Sequence, residues 1–304
     1  MDSDDLSAMT RRALLRAAAT LPFLPAAHAA EPQKTISYVR AASASDVDAH
    51  AVFGWDVLSA VLEKTRATHG DYSLTISPDA AQALRFRHAT TSSDIQVNTV
   101  VLTTSPDWDD ILLPVRVPFQ RGLLGYRLLL VHRTDLGRFA HIRNLADLRQ
   151  ISIGSVTHWT DTLIMKRAGL KVVEGSSFDG LFKMLQAHRF DALSRGAHQI
   201  EGEMANIERT PGNDLVVEPH LLLHYNLPVY FWFSKDKEGQ RRAERVRAGL
   251  LAMVADGSLE KMWEKTFGST IEKFDLAHRT LIEIPNPLLS PEDPIKDPRY
   301  WYRP

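Results

Sequence analysis

The chain has no cysteine and almost no excess of charge. Its 304 residues include 36 basic and 37 acidic side chains, for a formal net charge of −1. The absence of cysteine excludes disulfide bonds, thiol catalysis and cysteine-ligated metals. Because there is no basic excess and no Lys/Arg-rich amphipathic helix, we expect neither a nucleic acid partner nor binding to a membrane surface.

Motifs of the common enzyme classes are also missing. The sequence has no Gly-x-Ser-x-Gly elbow, phosphate-binding loop, His-Glu-x-x-His helix or dinucleotide fingerprint. His220 and His224 flank an apolar run that predicts a strand, where they would stand about 13 Å apart, too far for one metal ion. His198 and Glu201 form only a pair of possible ligands. We therefore expect no metal, no cofactor and no enzymatic activity.

The N-terminus has the pattern of an export signal. Arg11 and Arg12 precede the apolar run 17–24, and Ala27-His28-Ala29 offers a small-x-small cleavage site. The order Thr-Arg-Arg-x-Leu-Leu-Arg resembles a twin-arginine signal, and an ordinary secretory signal with two arginines is the alternative. The apolar run is shorter than the about 20 residues that a membrane-spanning helix needs. We expect residues 1–29 to be an export signal and the mature protein to be soluble in the periplasm.

Strand and helix patterns alternate along the mature chain. Residues 35–39 predict a strand, 52–64 a helix, 72–76 a strand, 80–88 a helix and 94–102 a further strand. This β-α-β-α-β order is typical of a mostly parallel sheet flanked by helices. The same alternation continues from residue 145 to residue 217, which predicts a second α/β lobe.

Two long apolar strands are candidates for crossings between the lobes. These are residues 122–132 (GLLGYRLLLVH) and 229–234 (VYFWFS). We expect lobe 1 to comprise residues 34–131 and 229–283, and lobe 2 residues 132–228.

The last 21 residues, 284–304, are rich in proline. Proline forbids a helix interior or a central strand there. Trp301 and Tyr302 stand at the very end, and disordered segments contain few such aromatics. We expect an extended arm that packs along the body of the protein.

Three segments resemble one known family. These are FDGLFKMLQAHRFDALSRG (178–196), NLADLRQISIG (144–154) and VADGSLEKMWEKTFG (254–268). They resemble periplasmic solute-binding proteins of the polar amino acid uptake type, the family 3-like substrate-binding proteins of ABC transporters. GLLGYRLLLVH, HWTDTLIMKRAGL and the terminal NPLL…YWYRP look more narrowly like an uncharacterised bacterial subfamily.

The resemblance implies a fold and a way of working. The fold is the two-lobed periplasmic-binding-protein type II fold, an α/β architecture with two hinge crossings. The lobes close on a small solute at strand and helix ends, where free N–H groups accept anions. The implied partner is an inner-membrane ABC permease or a sensor protein, and we expect a monomer.

Two positions depart from the family pattern. The family usually follows its third strand with a threonine and then an arginine that clamps the ligand carboxylate, whereas Thr103 and Thr104 here lead to Pro106, Asp107 and Trp108. The family also places an acid, which holds the ligand amino group, where this chain has Gly196. The resemblance therefore implies a polar solute other than a free α-amino acid, and we expect an anionic or carboxylate-bearing one.

One loop that joins a strand to a helix is a candidate for binding. Ser155, Thr157 and Thr160 could present hydroxyls, N–H groups and the helix dipole to a carboxylate or phosphate. Trp159 belongs to the same candidate site. The alternative is that Thr160 or Asp161 caps the following helix and that Trp159 packs between the lobes.

Four further side chains complete the candidate site, each with an alternative. Trp108 could stack on a ligand ring, or could be buried in the core. Arg195 could anchor an anion, or could pair with a nearby Glu201 or Glu203. Arg116 and Arg121 could replace the missing clamp, or could be solvated charges near the hinge.

The pattern as a whole predicts a periplasmic protein that closes on a small polar solute for ABC-type uptake. A ligand-sensing partner of a membrane signalling protein is the first alternative. A dehydratase-like periplasmic enzyme is the second, because Asp107, Asp109 and Asp110 could supply paired carboxylates for acid–base work.

Overall fold

The described part of the chain contains three sheets, of seven, three and two strands. The computed structural model describes residues 35–41, 49–78, 97–157, 159–207, 209 and 213–304. The expected export signal and the expected helix 80–88 lie outside these residues. None of the described helices has the length and apolar character needed to span a bilayer.

We number the elements along the described residues. The strands are β1 (Ile36–Ala41), β2 (Tyr72–Ser77), β3 (Val100–Thr103), β4 (Leu112–Val115), β5 (Tyr126–His132), β6 (Ser152–Val156), β7 (Lys171–Gly175), β8 (Ala192–Gly196), β9 (Leu215–Val217), β10 (Leu221–His224), β11 (Val229–Ser234) and β12 (Thr280–Glu283). The helices are α1 (Ala49–Lys64), α2 (Arg66–His69), α3 (Pro106–Ile111), α4 (Leu136–Phe139), α5 (Leu145–Leu148), α6 (Thr160–Arg167), α7 (Phe178–Gln186), α8 (Ile200–Ile207), α9 (Lys237–Ala255) and α10 (Ser258–Lys273).

The large sheet has the strand order β12-β10-β5-β8-β6-β7, and β9 also pairs with β5. Strand β6 runs parallel to β7 and β8, whereas β5 runs antiparallel to β8, β9 and β10. All seven residues of β5 are buried, as expected for a strand covered on both faces. Helix α7 packs here: the Ser177 hydroxyl caps it by accepting from Gly180 N at 3.1 Å, and Leu181 and Leu185 are buried.

The small sheet has the order β3-β11-β4, with both neighbours antiparallel to β11. Strands β1 and β2 pair in parallel beside it. Asn98 connects β1 to the start of β3, because its backbone N–H donates to Val39 O and its side-chain Oδ1 accepts from Val39 N, both at 2.9 Å. Because β11 runs antiparallel to both neighbours, the carboxyl ends of β3 and β4 lie beside the N-terminal half of β11.

The strand pairings show where the expected crossing strand 122–132 lies in the fold. Its residues 126–132 form β5 of the large sheet. Residues 122–125 form a turn and a short 3-10 helix instead of strand. Gly125 is required there, since a Cβ would lie 2.0 Å from the Tyr225 carbonyl oxygen. Strand β12 also joins the large sheet, through parallel pairing with β10, although 229–283 was assigned to lobe 1.

The C-terminal segment, residues 284–304, is hydrogen-bonded to the rest of the protein near both of its ends. Ile284 N donates to His224 O at 2.7 Å at its beginning, and Tyr302 N donates to Arg121 O at 2.8 Å at its end. The Trp301 ring covers Gly122, where a Cβ would lie 2.5 Å from the indole. Trp301 is 7% exposed, so the arm packs its terminal aromatics against the body.

Candidate functional site

The two sheets meet at a pair of threonines. Thr103 ends β3 of the small sheet, and Thr160 begins α6 beside the large sheet. Their hydroxyl oxygens are 3.0 Å apart. Thr160 therefore lies where the chain around α6 comes within hydrogen-bonding distance of the small sheet.

A buried ionic cluster begins at Asp161, the residue that follows Thr160. Asp161 accepts a short hydrogen bond from the Tyr225 hydroxyl and is 3.2 Å from Arg127 Nη1. Burial acts to lower the pKa of Arg127, but the charge interactions with Asp161, Tyr225 and Glu203 together raise it above the ordinary value. Burial raises the pKa of the Tyr225 phenol far above its ordinary value. The cluster thus holds a charged arginine and a protonated tyrosine under the sheet interface.

Arg127 was not among the residues that the sequence indicated. It is 1% exposed and also donates to Leu124 O and Ser194 O, at 3.2 and 3.3 Å. A single charged residue within the apolar run GYRLLLVH was the available signal, because such a charge needs a partner when buried.

Arg127 fills the position next to Gly196. A Cβ at Gly196 would lie 3.3 Å from Arg127 Nη1 and 2.8 Å from Gln199 Oε1. Gly196 stands where the family pattern has the acid that holds an amino group. The structure therefore places a guanidinium beside the position at which the family pattern has a carboxylate.

Arg195 occupies an aromatic and acidic enclosure. Its Nε lies 2.8 and 3.0 Å from the two carboxylate oxygens of Glu203, and its Nη2 also donates to Glu203. The guanidinium carbon lies 5.0 Å from the centroid of the Trp159 ring and 4.4 Å from that of Phe178. Arg195 is 5% exposed. Its Nη1 is buried with no hydrogen-bond partner among the described residues.

The acid paired with Arg195 is the second of the two that the sequence offered. Glu201 instead accepts from Thr270 at 2.5 Å and from Lys273 at 2.9 Å. His198, the other member of the possible metal pair, packs its ring edge-on against Phe267.

The hydroxyls of Ser155 and Thr157 are engaged by neighbouring elements. Ser155 accepts from the Thr162 hydroxyl of α6 at 2.6 Å, and the Thr157 hydroxyl donates to Gly175 O of β7 at 3.3 Å. Trp159, rather than Thr160 or Asp161, stands at the N-cap position of α6, with extended backbone and no capping hydrogen bond from its side chain. Thr160 contacts Thr103 of the small sheet, and Trp159 lies beside Arg195 of the large sheet.

Arg116 lies in a second ionic cluster at the end of the small sheet. Its guanidinium reaches Asp109 and Asp293 at 2.8 Å and Glu292 at 2.9 Å. Burial acts to lower the pKa of Arg116, but hydrogen bonding and charge from Asp109, with Asp293 and Glu292, raise it overall. Its side chain is only 17% exposed. Arg116 is therefore a paired structural cation rather than a solvated hinge charge.

Trp108 and Arg121 contact other parts of the chain. Trp108, on α3, packs against a small apolar core that includes Tyr230 and Trp232. Arg121 pairs with Glu260 at 2.6 Å and lies over the Trp263 ring. Trp159, in contrast, contacts Arg195 and directly precedes Thr160.

His220 and His224, which were considered for metal binding, have other contacts in the structure. His224 Nδ1 lies 2.8 Å from Glu283 Oε2, and its ring stacks on Tyr126 at 4.2 Å. Burial lowers the pKa of His224 against the opposing effect of Glu283. His220 begins the turn into β10, where its backbone N–H donates to Glu218.

Comparison with solved structures establishes the class of fold. An ancestral arginine-binding protein bound to arginine aligns with a TM-score of 0.52 at 18% identity, over 78% of this chain and 100% of that one. An amino acid ABC transporter substrate-binding protein from Streptococcus pneumoniae, bound to L-arginine, aligns at 0.51 and 12% identity, over 76% and 93%. The GluR0 ligand-binding core with L-glutamate aligns at 0.51 and 12% identity, over 76% and 97%.

Neither a protein-family model nor a curated protein sequence matches the chain. At these identities the likeness concerns the fold. The chain therefore has the two-lobed α/β fold of periplasmic binding proteins, and the resemblance found in its sequence is confirmed at that level.

Proposed function

We propose that the protein is a periplasmic solute-binding protein that closes on a small polar solute bearing a carboxylate or another anionic group. It would deliver that solute to an ABC-type permease and act as a monomer. The fold supports the solute-binding role, since two of its structural relatives are amino acid-binding proteins crystallised with arginine.

The observation that carries the choice of solute is the setting of Arg195. Its Nη1 is a buried donor with no hydrogen-bond partner among the described residues, beside the Trp159 that precedes Thr160. A planar guanidinium binds carboxylates with two parallel hydrogen bonds, and such charge-assisted bonds are the strong ones. Arg195 already holds Glu203 through Nε and Nη2, which orients its remaining edge.

Arg127 supports the same choice. The family pattern implies an acid at position 196 for the ligand amino group, and here the Gly196 backbone is bordered by the Arg127 guanidinium. A cation would repel an ammonium group and attract an anion.

Access to Arg195 requires the two sheets to separate. Arg195 is 5% exposed, and Trp159, which contacts it, directly precedes Thr160, whose hydroxyl oxygen is 3.0 Å from that of Thr103. Hinge opening about two crossings exposes buried sites in this way while each lobe stays rigid. We therefore assign the described arrangement to the closed form of the protein.

A thermal-shift screen over amino acids, organic acids and sugar phosphates tests the proposal. Binding to the native state raises the melting temperature with the logarithm of ligand excess. We expect carboxylic or phosphorylated solutes to raise it. A shift produced only by ordinary α-amino acids would contradict the anionic solute.

Variants assign the binding to Arg195. Removing Arg195 alone would leave Glu203 buried without its partner, so the informative comparison is E203Q against R195Q/E203Q. We expect the double variant to lose at least about tenfold in affinity relative to E203Q, the equivalent of about 1.4 kcal/mol. R189Q, at an exposed arginine of the same segment, is the control and should bind normally.

A further inference from the structure

The carboxylate of Asp293, in the C-terminal arm, is enclosed at the end of the small sheet. Its Oδ1 accepts from Arg116 Nη1 at 2.8 Å and from the Tyr230 hydroxyl at 2.9 Å. Its Oδ2 accepts from the Thr104 hydroxyl at 2.9 Å and from Ser290 N at 2.8 Å. The Asp293 side chain is 0% exposed. Three of these four donors belong to the body rather than to the arm.

The three body residues form a pocket with the chemistry of a carboxylate site. Thr104 follows β3, Tyr230 lies on β11 and Arg116 follows β4, so the small sheet itself sets their spacing. Thr104 and Tyr230 are each 0% exposed. Burial and the neighbouring charge of Asp293 raise the pKa of Tyr230, which keeps its hydroxyl a donor. A cation with two neutral hydroxyl donors matches the two oxygens of a carboxylate.

The arm holds Asp293 on a span that is fixed at both ends. Before it, Asn286 Nδ2 donates to Asn226 O at 2.7 Å, next to the large sheet. After it, Trp301 Nε1 donates to Pro294 O at 2.9 Å while its ring packs on Gly122. The carboxylate therefore enters the pocket as a tethered group, whose effective concentration is in the millimolar range or above for a short span.

We propose that Thr104, Arg116 and Tyr230 form a carboxylate-binding pocket and that Asp293 of the chain's own arm is its tethered occupant. A free carboxylate must displace Asp293 to enter, so the arm competes with solutes at this end of the small sheet. The inference stands apart from the proposed function, because it concerns contacts of the small sheet and the arm and uses neither Arg195 nor Trp159.

The test is a titration of D293A with sodium acetate, followed by thermal shift against sodium chloride of equal ionic strength and pH. Removing the Asp293 carboxylate should open the pocket, and acetate should raise the melting temperature of D293A. The wild-type protein should bind acetate at least about tenfold more weakly, because only its arm-released fraction is competent. E292A is the matched control, since Glu292 is the adjacent residue and pairs with the same arginine but is 76% exposed.

Further variants assign the binding to the pocket. D293A/T104V and D293A/R116Q should lose the response to acetate, whereas D293A/R195Q/E203Q should keep it. Loss in that last variant would place the acetate at the proposed solute site and overturn the pocket. If D293A, E292A and the wild-type protein bound acetate with equal affinity, the proposal that Asp293 occupies the pocket would be contradicted. If D293A does not fold alone, its refolding yield with acetate against chloride becomes the readout, and no difference between the two salts overturns the pocket.

Discussion

The hydroxyl oxygen of Thr103 lies 3.0 Å from that of Thr160, although 57 positions separate the two residues. This hydrogen bond joins the end of β3 in the small sheet to the start of α6 beside the large sheet. Asp161, the residue after Thr160, forms the buried cluster with Arg127 and Tyr225. The contact therefore connects the interface between the sheets to the buried ionic cluster that supports it.

Replacing Thr103 by valine should loosen this interface. The hydrogen bond to Thr160 is lost while the size of the side chain is kept, so the free energy of unfolding should fall by about 1 kcal/mol. Small-angle scattering should show a larger radius of gyration if the bond holds the sheets together. T103S keeps the hydroxyl and should behave like the wild-type protein. Identical scattering for T103V and T103S would show that the bond does not hold the closed form.

Tyr225 should matter through its hydroxyl. Y225F removes the donor to Asp161 and leaves that buried carboxylate with Arg127 as its partner in the cluster. We expect the free energy of unfolding to fall by about 1–3 kcal/mol, because the bond is charge-assisted and buried. Urea denaturation measures the change. Y225F/D161N should be less destabilised than the sum of the two single variants, and additivity would argue against the coupling.

The acid dependence of stability should reflect Asp191, the aspartate of the RFDAL segment. Burial alone would raise its pKa, but hydrogen bonds from Ser152 and Arg138 outweigh this effect and lower it from 3.8. The stabilisation is therefore complete above the unfolded-state pKa and is lost as the pH falls through the lower folded-state value. D191N should lower stability by about 1–3 kcal/mol near neutral pH.

The loss of stability between about pH 5 and pH 2 should also be shallower in D191N than in the wild-type protein. Urea unfolding at a series of pH values checks this slope. D179N, at an acid on the first turn of the nearby helix α7, serves as the control. An unchanged acid limb in D191N would show that the pKa of Asp191 is not lowered by folding.

Gly122 should not tolerate a side chain. Its φ is +73°, in the left-handed region, and a Cβ would lie 2.5 Å from the Trp301 ring. G122A should lower the free energy of unfolding by about 1–3 kcal/mol through strain and displacement of the arm. Gly137, on α4, has no atom within 4 Å of a Cβ, so G137A should be neutral or slightly stabilising. Equal unfolding midpoints for the two variants would contradict this role of Gly122.

Local patterns in the sequence predicted many of the described elements. The helix expected at 52–64 lies within α1 (Ala49–Lys64), because its apolar spacing is contained in one short segment. Strand β4 was missed, since it is only four residues long and contains a proline. Strand β12 was also missed, because its pairing with distant β10 defines it more than its own composition does.

The contacts of Arg195 were predicted in part. The Arg195–Glu203 pair was one of two pairings that the spacing allowed, and the aromatic neighbour Trp159 was named for the same site. Arg127 was missed because an arginine in an apolar strand carries no local signature of its partner. Asp161, that partner, lies 34 positions away along the sequence.

By itself, the sequence determined the α/β class, the absence of cysteine chemistry and the likeness to two-lobed binding proteins. The first two follow from composition and from short-range apolar periods, and the likeness follows from the resemblance of segments 144–154, 178–196 and 254–268 to a known family. Only the tertiary structure decided that Arg116 pairs with Asp293, a carboxylate of the chain's own arm. Arg116 and Asp293 are 177 positions apart, and an ion pair between such residues depends on how the sheets and the arm pack, which no local pattern specifies.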